Sequence, residues 1–219
     1  MGIFITFEGI DGCGKSTQVK LLDHALKEKK IETCVTMEPG GTEAGKIIRN
    51  ILLGSEFSVD RYAQLFLFVA DRAQHLEEVI RPALMSGKWV LCDRFVESTV
   101  AYQGYGLGLN KNFINLLHKE ILGDTWPDLT FVLDCPVSVA RLRLKTRRGE
   151  TAELTPSKGD DPYETASLEF QERLRQGYLD LARKYPKRIA LIDGSEDPKQ
   201  VHLSIIKIIE KKKLWPSET

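Results

Sequence analysis

Apolar positions along this chain fall into two alternating rhythms. Near-continuous apolar runs at Ile3–Phe7, Glu32–Met37, Trp89–Cys92, Leu129–Leu133 and Ile189–Ile192 have the length and composition of strands buried on both faces. Between them, apolar residues recur every three and four positions. Val19, Leu22 and Leu26 follow the first run. Ala44, Ile47, Ile48 and Ile51 share one face of a predicted helix over Glu43–Leu53. Leu65, Val69, Leu76, Val79 and Ile80 mark a long one over Val59–Met85. The same spacing predicts helices near Asn112–Leu122, Val137–Arg147, Ala166–Tyr185 and Pro198–Lys213. Strand–helix alternation of this kind predicts an α/β domain, a five-stranded parallel sheet with helices on both faces. Ligands of such sheets sit beyond the carboxyl ends of the strands. The stretch 150–162 has no periodicity and carries Pro156, Gly159 and Pro162; it is expected to be a long exposed loop, of a length common in lids. The stretch 211–219, polar apart from Leu214, Trp215 and Pro216, is expected to fray, with 214–219 as the C-terminal tail. Residues 1–213 read as one domain, with a lid region at about 141–162.

Composition narrows the possible partners. Lys plus Arg and Asp plus Glu both number 31 in 219 residues, so no net charge favours long nucleic acid or an anionic membrane. Cys13, Cys34, Cys92 and Cys135 have neither zinc-like nor redox spacing and read as reduced cytoplasmic thiols. The first apolar run is too short for a signal peptide, and no stretch approaches the length of a membrane span.

The chemistry begins where the first strand ends. Gly9, four residues, then Gly14-Lys15-Ser16 is the P-loop pattern. Its glycines let backbone N–H groups wrap an anionic oxygen cluster, and the helix that follows adds its positive end. Lys15 is placed to reach β- and γ-phosphates, and Ser16 to ligate Mg²⁺. After the second strand comes Glu38-Pro39-Gly40-Gly41-Thr42, where a turn and a Thr42 helix cap would account for the residues equally. After the third comes Asp93-Arg94-Phe95, then Ser98, Thr99, Tyr102 and Gln103. Asp93 ends an apolar run, so it needs a cation nearby, a Mg²⁺-bound water or Arg94. After the fourth, one helix carries Arg141, Arg143, Lys145, Arg147 and Arg148. That set suits a migrating phosphoryl group, or a solvated face. Phe68 and Arg72 are four apart and share a helical face. A ring and a guanidinium projecting together suit a flat heterocycle, as they suit one core and one surface residue.

With these residues assembled, the chain resembles the thymidylate kinases. The resemblance rests on FEGIDGCGKST at 7–17, EPGGT at 38–42, Ile48-Arg49, LFLFVADRAQH at 65–75, DRF at 93–95, STVAYQGYG at 98–106, RRGE at 147–150 and FQERLRQGYL at 170–179. It implies a three-layer P-loop kinase fold and transfer of the γ-phosphoryl group of ATP to dTMP, with Mg²⁺, in a homodimer. It implies that Gly9, Gly12, Cys13, Gly14, Lys15, Ser16 and Thr17 hold ATP, with Arg143 in the lid region and Ser16 and Asp93 near the metal. It places Asp11, Glu38 and Pro39 along the acceptor and gives its phosphate to Arg49 and Arg94. Phe68 then stacks on thymine, Arg72 bonds its edge, Ser98, Thr99 and Gln103 complete the base pocket, and Tyr102 crowds a 2′-hydroxyl. Some members carry an arginine directly after the P-loop aspartate. Here that position is Gly12, so the resemblance assigns the transition-state cation to the lid, to Arg148 and then Arg147. Met37 and Phe95 depart from the commoner arginine and tyrosine or histidine, and the stretch after RRGE is longer than in compact members. Another nucleoside monophosphate kinase would share most of these features. A GTPase-like switch would need Asn-Lys-x-Asp, and the nearest run, Asn110-Lys111-Asn112-Phe113, lacks the aspartate.

Overall fold

The computed structural model describes residues 2–54, 58–149 and 163–215. They form a five-stranded parallel sheet of β1 (Phe4–Glu8), β2 (Thr33–Met37), β3 (Trp89–Asp93), β4 (Leu129–Asp134) and β5 (Ile189–Asp193), in the order β2-β3-β1-β4-β5. The central strand β1 is buried at every position, while the edge strands β2 and β5 are only partly covered. The predicted strands are all present. Four of them run one residue further than the apolar pattern, because pairing continues into an acidic residue: Glu8, Asp93, Asp134 and Asp193. A carboxylate at a strand end needs partners, and each has one. Arg175 grips Asp134 with Nε at 2.6 Å and Nη2 at 3.0 Å.

The helices are α1 (Lys15–Glu28), α2 (Glu43–Leu53), α3 (Arg61–His75), α4 (Arg81–Met85), α5 (Val96–Thr99), α6 (Lys111–Leu122), α7 (Val137–Arg148), α8 (Leu168–Lys184) and α9 (Pro198–Lys211). Thr42 caps α2 as expected, accepting from the Gly45 amide at 2.9 Å. The long helix predicted over 59–85 is instead α3 and α4 joined by a π-type turn at Leu76–Ile80. Pro82 has no N–H to continue the ladder, and a wider turn ahead of it absorbs the interruption. The chain from Val96 to Gly106, to which the periodicity assigns no element, is α5 continued by a π-type turn. Its β-branched residues and glycines are weak helix formers. Close packing holds it in place: a β-carbon on Gly106 would lie 2.8 Å from the Phe170 ring, and one on Gly177 2.8 Å from Tyr105. The start of the tail does not fray. Leu214 packs on the core, and the Trp215 ring stacks on Trp89 at 5.7 Å. The loop expected at 150–162 and the tail beyond 215 lie outside the described residues.

Candidate active site

Beyond the carboxyl ends of β1, β2, β3 and β5 lies a pocket of about 440 Å³. It sits where the sheet order reverses around β1, the place where open α/β sheets bind ligands. Every residue that the resemblance assigns to the site lines it except Gly9 and Arg148; Arg141 and Lys145 of the basic helix do not.

At one end is the glycine-rich turn. Gly9, Gly12 and Gly14 hold φ of 134°, 83° and 103°, which only glycine adopts without strain. Gly14 opens α1, its carbonyl accepting from Thr17 and Gln18 at 3.1 Å, so the positive end of the helix faces the pocket. Lys15 Nζ donates to the carbonyls of Gly9 and Ile10 at 3.1 and 3.0 Å and stands 4.0 Å from Asp11. Ser16 Oγ donates to Asp93 Oδ2 at 2.5 Å. Asp93 thus meets a hydroxyl here, while Arg94 turns elsewhere. The buried Cys13 thiol is pushed up by burial.

The middle of the pocket is organised by Arg94, which sits at φ 71°. Its Nη1 donates to the Gly9 carbonyl, Ser98 Oγ and Tyr178 Oη, all at 3.1 Å. Nη2 donates to Asp11 Oδ1 at 2.5 Å and Tyr102 Oη at 3.0 Å. Tyr102 in turn donates to Asp11 Oδ2 at 2.7 Å. Burial alone would raise the Asp11 carboxyl. The charges of Arg94 and Lys15, with the Tyr102 hydroxyl, outweigh it and hold the group well below the usual carboxylate range.

At the far end, Phe68 and Arg72 come off α3 one turn apart into the same wall. Glu38 is buried between Arg72 Nε, at 2.8 Å, and His75 Nδ1, at 2.9 Å. Gly41 has no room for a side chain, since a β-carbon there would lie 2.4 Å from His75 Nε2. Arg49 of α2 donates through Nη1 to the Pro39 carbonyl at 2.8 Å and faces the pocket. The EPGGT turn therefore braces one arginine on each side.

The basic helix α7 does not present its cations together. Successive residues turn about 100°, so Arg143 and Arg147, four apart, face the pocket while Arg141 points to α8 and bonds the Ala166 carbonyl at 3.0 Å. Arg143 pins the turn after β5, donating to the carbonyls of Gly194 and Ser195 at 2.6 and 2.9 Å. Arg147 pairs with Glu164 at 2.6 Å. Arg148 is half-buried beside the lining residues. At Gly12 the helix closes in: a β-carbon would lie 2.3 Å from the Ala140 carbonyl oxygen and 3.1 Å from Leu144 Cγ.

A glycine-rich phosphate turn, an arginine hub and an aromatic–arginine wall in one cavity are the parts of a nucleotide phosphotransferase, and comparison with known proteins gives the family. The thymidylate kinase model matches residues 7–205. The chain belongs to the thymidylate kinase family. A thymidylate kinase from Kosmotoga olearia is 45% identical over 205 residues, 94% of each chain. One from Citrifermentans bemidjiense is 43% identical over 97% of this chain and 93% of its own. The crystal structure of thymidylate kinase from Ehrlichia chaffeensis matches with a TM-score of 0.74 at 36% identity, covering 95% of this chain and 98% of that one. Family membership makes the chain a kinase, with ATP as phosphate donor and nucleotides as substrates. Among the described residues no helix is long and apolar enough to cross a membrane.

Two features in and beneath this pocket are not legible in the sequence. Tyr163 and Glu164 line it, and the Tyr163 ring meets Tyr102 edge-on at 5.0 Å. The only sequence signal was an aromatic residue closing a polar stretch. The other is Glu8, buried under the hub, which accepts from the Phe95 amide at 2.7 Å and Ser98 Oγ at 2.6 Å. An acid ending a buried strand, two residues before a glycine turn, was the available clue. Burial and the neighbouring Glu97 raise its carboxyl to about 7, against the pull of Ser98, Arg94 and the Phe95 amide. A carboxyl raised on folding keeps its proton longer in the native state. Its contribution to stability is complete below the unfolded value and is lost as pH rises towards 7. Glu8→Gln, which cannot ionise, will therefore lose less thermal stability than the native chain between about pH 5 and about pH 8. Parallel melting curves across that range would discard the assignment.

Proposed function

We propose that this chain transfers the γ-phosphoryl group of MgATP to dTMP, giving dTDP and ADP for dTTP synthesis. The observation that carries the reading is the single cavity joining the P-loop lysine to the Phe68–Arg72 wall through Arg94. The turn from Gly9 to Thr17 and Lys15 hold the ATP phosphates, with Arg143 toward the nucleoside end. Phe68 stacks on thymine and Arg72 donates to its edge, with Ser98, Thr99 and Gln103 alongside. Tyr102 sits against the sugar, and Asp11, Glu38 and Pro39 border it. Arg49 and Arg94 take the dTMP phosphate.

A phosphate monoester is largely dianionic at neutral pH, its second pKa being about 6. No base has to create the nucleophile. The protein's work is to bring two anions into line and to neutralise their repulsion. Arg94 suits the task because its own position is fixed by Asp11, Ser98 and Tyr178 before any substrate arrives. The Arg147–Arg148 pair supplies the cation on the migrating group.

Ser16 and Asp93 fit a magnesium ion. Their oxygens are hard donors, adjacent at the foot of the P-loop, and Mg²⁺ uses one or two protein oxygens and takes the rest from phosphates and water. Among the described residues no three His, Cys, Asp or Glu side chains gather to cage a metal alone, so the nucleotide would complete the set. When bound, the ion neutralises phosphate charge.

The molecule works as a cytoplasmic homodimer in this reading. Free thiols at Cys13, Cys34, Cys92 and Cys135 suit a reducing compartment. Ile47 of α2, Phe66 of α3 and Leu116 of α6 are 65%, 51% and 61% exposed on adjoining helices, an apolar face that a second copy would cover. A monomer by sedimentation would remove the dimer from the reading.

The deciding experiment follows ADP release from MgATP with dTMP, dUMP, dCMP, dGMP, AMP or no acceptor. Turnover will require dTMP, and dUMP, one methyl smaller, will be poorer by about 10- to 200-fold in kcat/KM. Greater activity with AMP or dGMP would keep the reaction class and discard the thymine pocket.

A further inference from the structure

Arg72 lines the pocket wall yet is 1% exposed. A guanidinium has five N–H groups on three nitrogens, and here every nitrogen has a partner within the chain. Nε and Nη2 meet Glu38 Oε2 at 2.8 and 2.7 Å. Nη2 also donates to the Phe95 carbonyl at 2.8 Å. Nη1 donates to Thr99 Oγ1 at 3.0 Å and to His118 Nε2 at 2.9 Å. An arginine offers no lone pair, so His118 is the acceptor in the last contact and carries its own proton on Nδ1. Burial, and then the charge of Arg72, keep that imidazole well below its usual range, so the lone pair persists in neutral solution.

The two acceptors on Nη1 are not equivalent. Thr99 belongs to the pocket wall. His118 does not. It is buried on α6, which packs behind α3. A ligand entering the pocket can compete for the proton held by Thr99 and has no access to the one held by His118. We propose that His118 is a positioning residue for base recognition, clamping Arg72 Nη1 from behind so that its second N–H is aimed at a carbonyl oxygen of the acceptor's pyrimidine. This rests on the reading of Arg72 as the base donor. It assigns the preference for a keto over an amino group at that ring position to a side chain outside the pocket. A wrongly held guanidinium costs affinity for thymine and no longer rejects cytosine as sharply.

The test compares two amides. Gln carries its terminal atoms near the position of Nε2 and can accept from Nη1; Asn is one carbon shorter and falls short. His118→Asn should raise the KM for dTMP about tenfold, leave kcat within about threefold and lower the dTMP:dCMP ratio of kcat/KM. His118→Gln should stay within about threefold of the native chain in all three. Both polar exchanges will reduce the melting temperature, so a purely structural role predicts no split between them in KM. In an Arg72→Lys background, which has no Nη1, His118→Asn should add nothing further. Equal KM values for the Asn and Gln variants, or a normal KM for His118→Asn while Arg72→Lys is impaired, would overturn the proposal alone. An unchanged dTMP KM in Arg72→Lys would overturn the base reading and this proposal with it.

Discussion

Replacing Arg147 and Arg148 together by alanine will slow turnover by roughly a thousandfold and leave the KM for dTMP within a few-fold, the signature of a cation used only in the transition state. The dTMP dianion and the ATP triphosphate repel each other along the line of transfer. In the proposed reading Lys15 and Arg94 sit at the two ends of that line, and the charge that develops between them needs a third cation. The P-loop has no place for one at residue 12, where the Ala140 carbonyl oxygen stands 2.3 Å from any added β-carbon. The end of α7 is the alternative, and Arg147 already faces the pocket there. Its present partner is Glu164, and Arg147 is 62% exposed; an ion pair of that kind contributes little and is surrendered cheaply. Single exchanges then divide the effect, the larger loss in kcat marking the residue that meets the migrating phosphoryl group. Equal losses in kcat and in dTMP affinity for the double variant would move both arginines from transition-state stabilisation to ordinary binding.

Arg94→Ala will lower kcat/KM by roughly a thousandfold and the melting temperature by several degrees. In the proposed reading the activity loss comes from the acceptor phosphate, which loses its fixed cation. The stability loss has a separate origin. Asp11 loses its closest cation when Arg94 is gone, and Tyr102, Ser98 and Tyr178 each lose a donor. Breaking a buried pair costs about 3–5 kcal/mol. Asp11 is 22% exposed and regains part of its hydration, so about 1–3 kcal/mol is the scale expected. Adding Asp11→Asn separates the two effects. With no charge left to strand, the double variant will recover much of the melting temperature and none of the activity. Recovery of activity along with stability would show that Arg94 acts by holding the fold and not by holding phosphate.

The sequence exposed the scaffold because burial on both faces of a parallel sheet writes apolar runs that need no partner to be recognised. It exposed the P-loop because glycine at positive φ followed by Lys and Ser has few other uses. The ends of β1, β3, β4 and β5 were misjudged for a related reason: the acidic residue that closes each strand looks like the start of a loop until its partner from another element is known. Arg72 is the sharper case. Its spacing from Phe68 put the two on one helical face and left a base site or a core–surface pair open, but nothing near it in the chain announces that Glu38, Thr99 and His118, 34, 27 and 46 residues away, absorb its donors. Helical periodicity, likewise, could count the cations of α7 but could not tell that Arg141 leans on α8. What local pattern carries is which face a residue occupies. What it leaves out is the identity of the group across the gap.

The contact at Gly12 has a historical side. A lineage beginning from this chain would not readily move the arginine proposed as the transition-state cation into the P-loop by one codon change, because the first carbon of any new side chain strikes the backbone of α7, and at φ 83° that backbone conformation resists a side chain as well. The helix would have to withdraw first, and withdrawing it would take Arg143 and Arg147 away from the pocket before a replacement existed. In the proposed reading the two placements of the arginine therefore exclude each other, so descent from this chain should keep glycine at residue 12 wherever it keeps arginine at the end of α7.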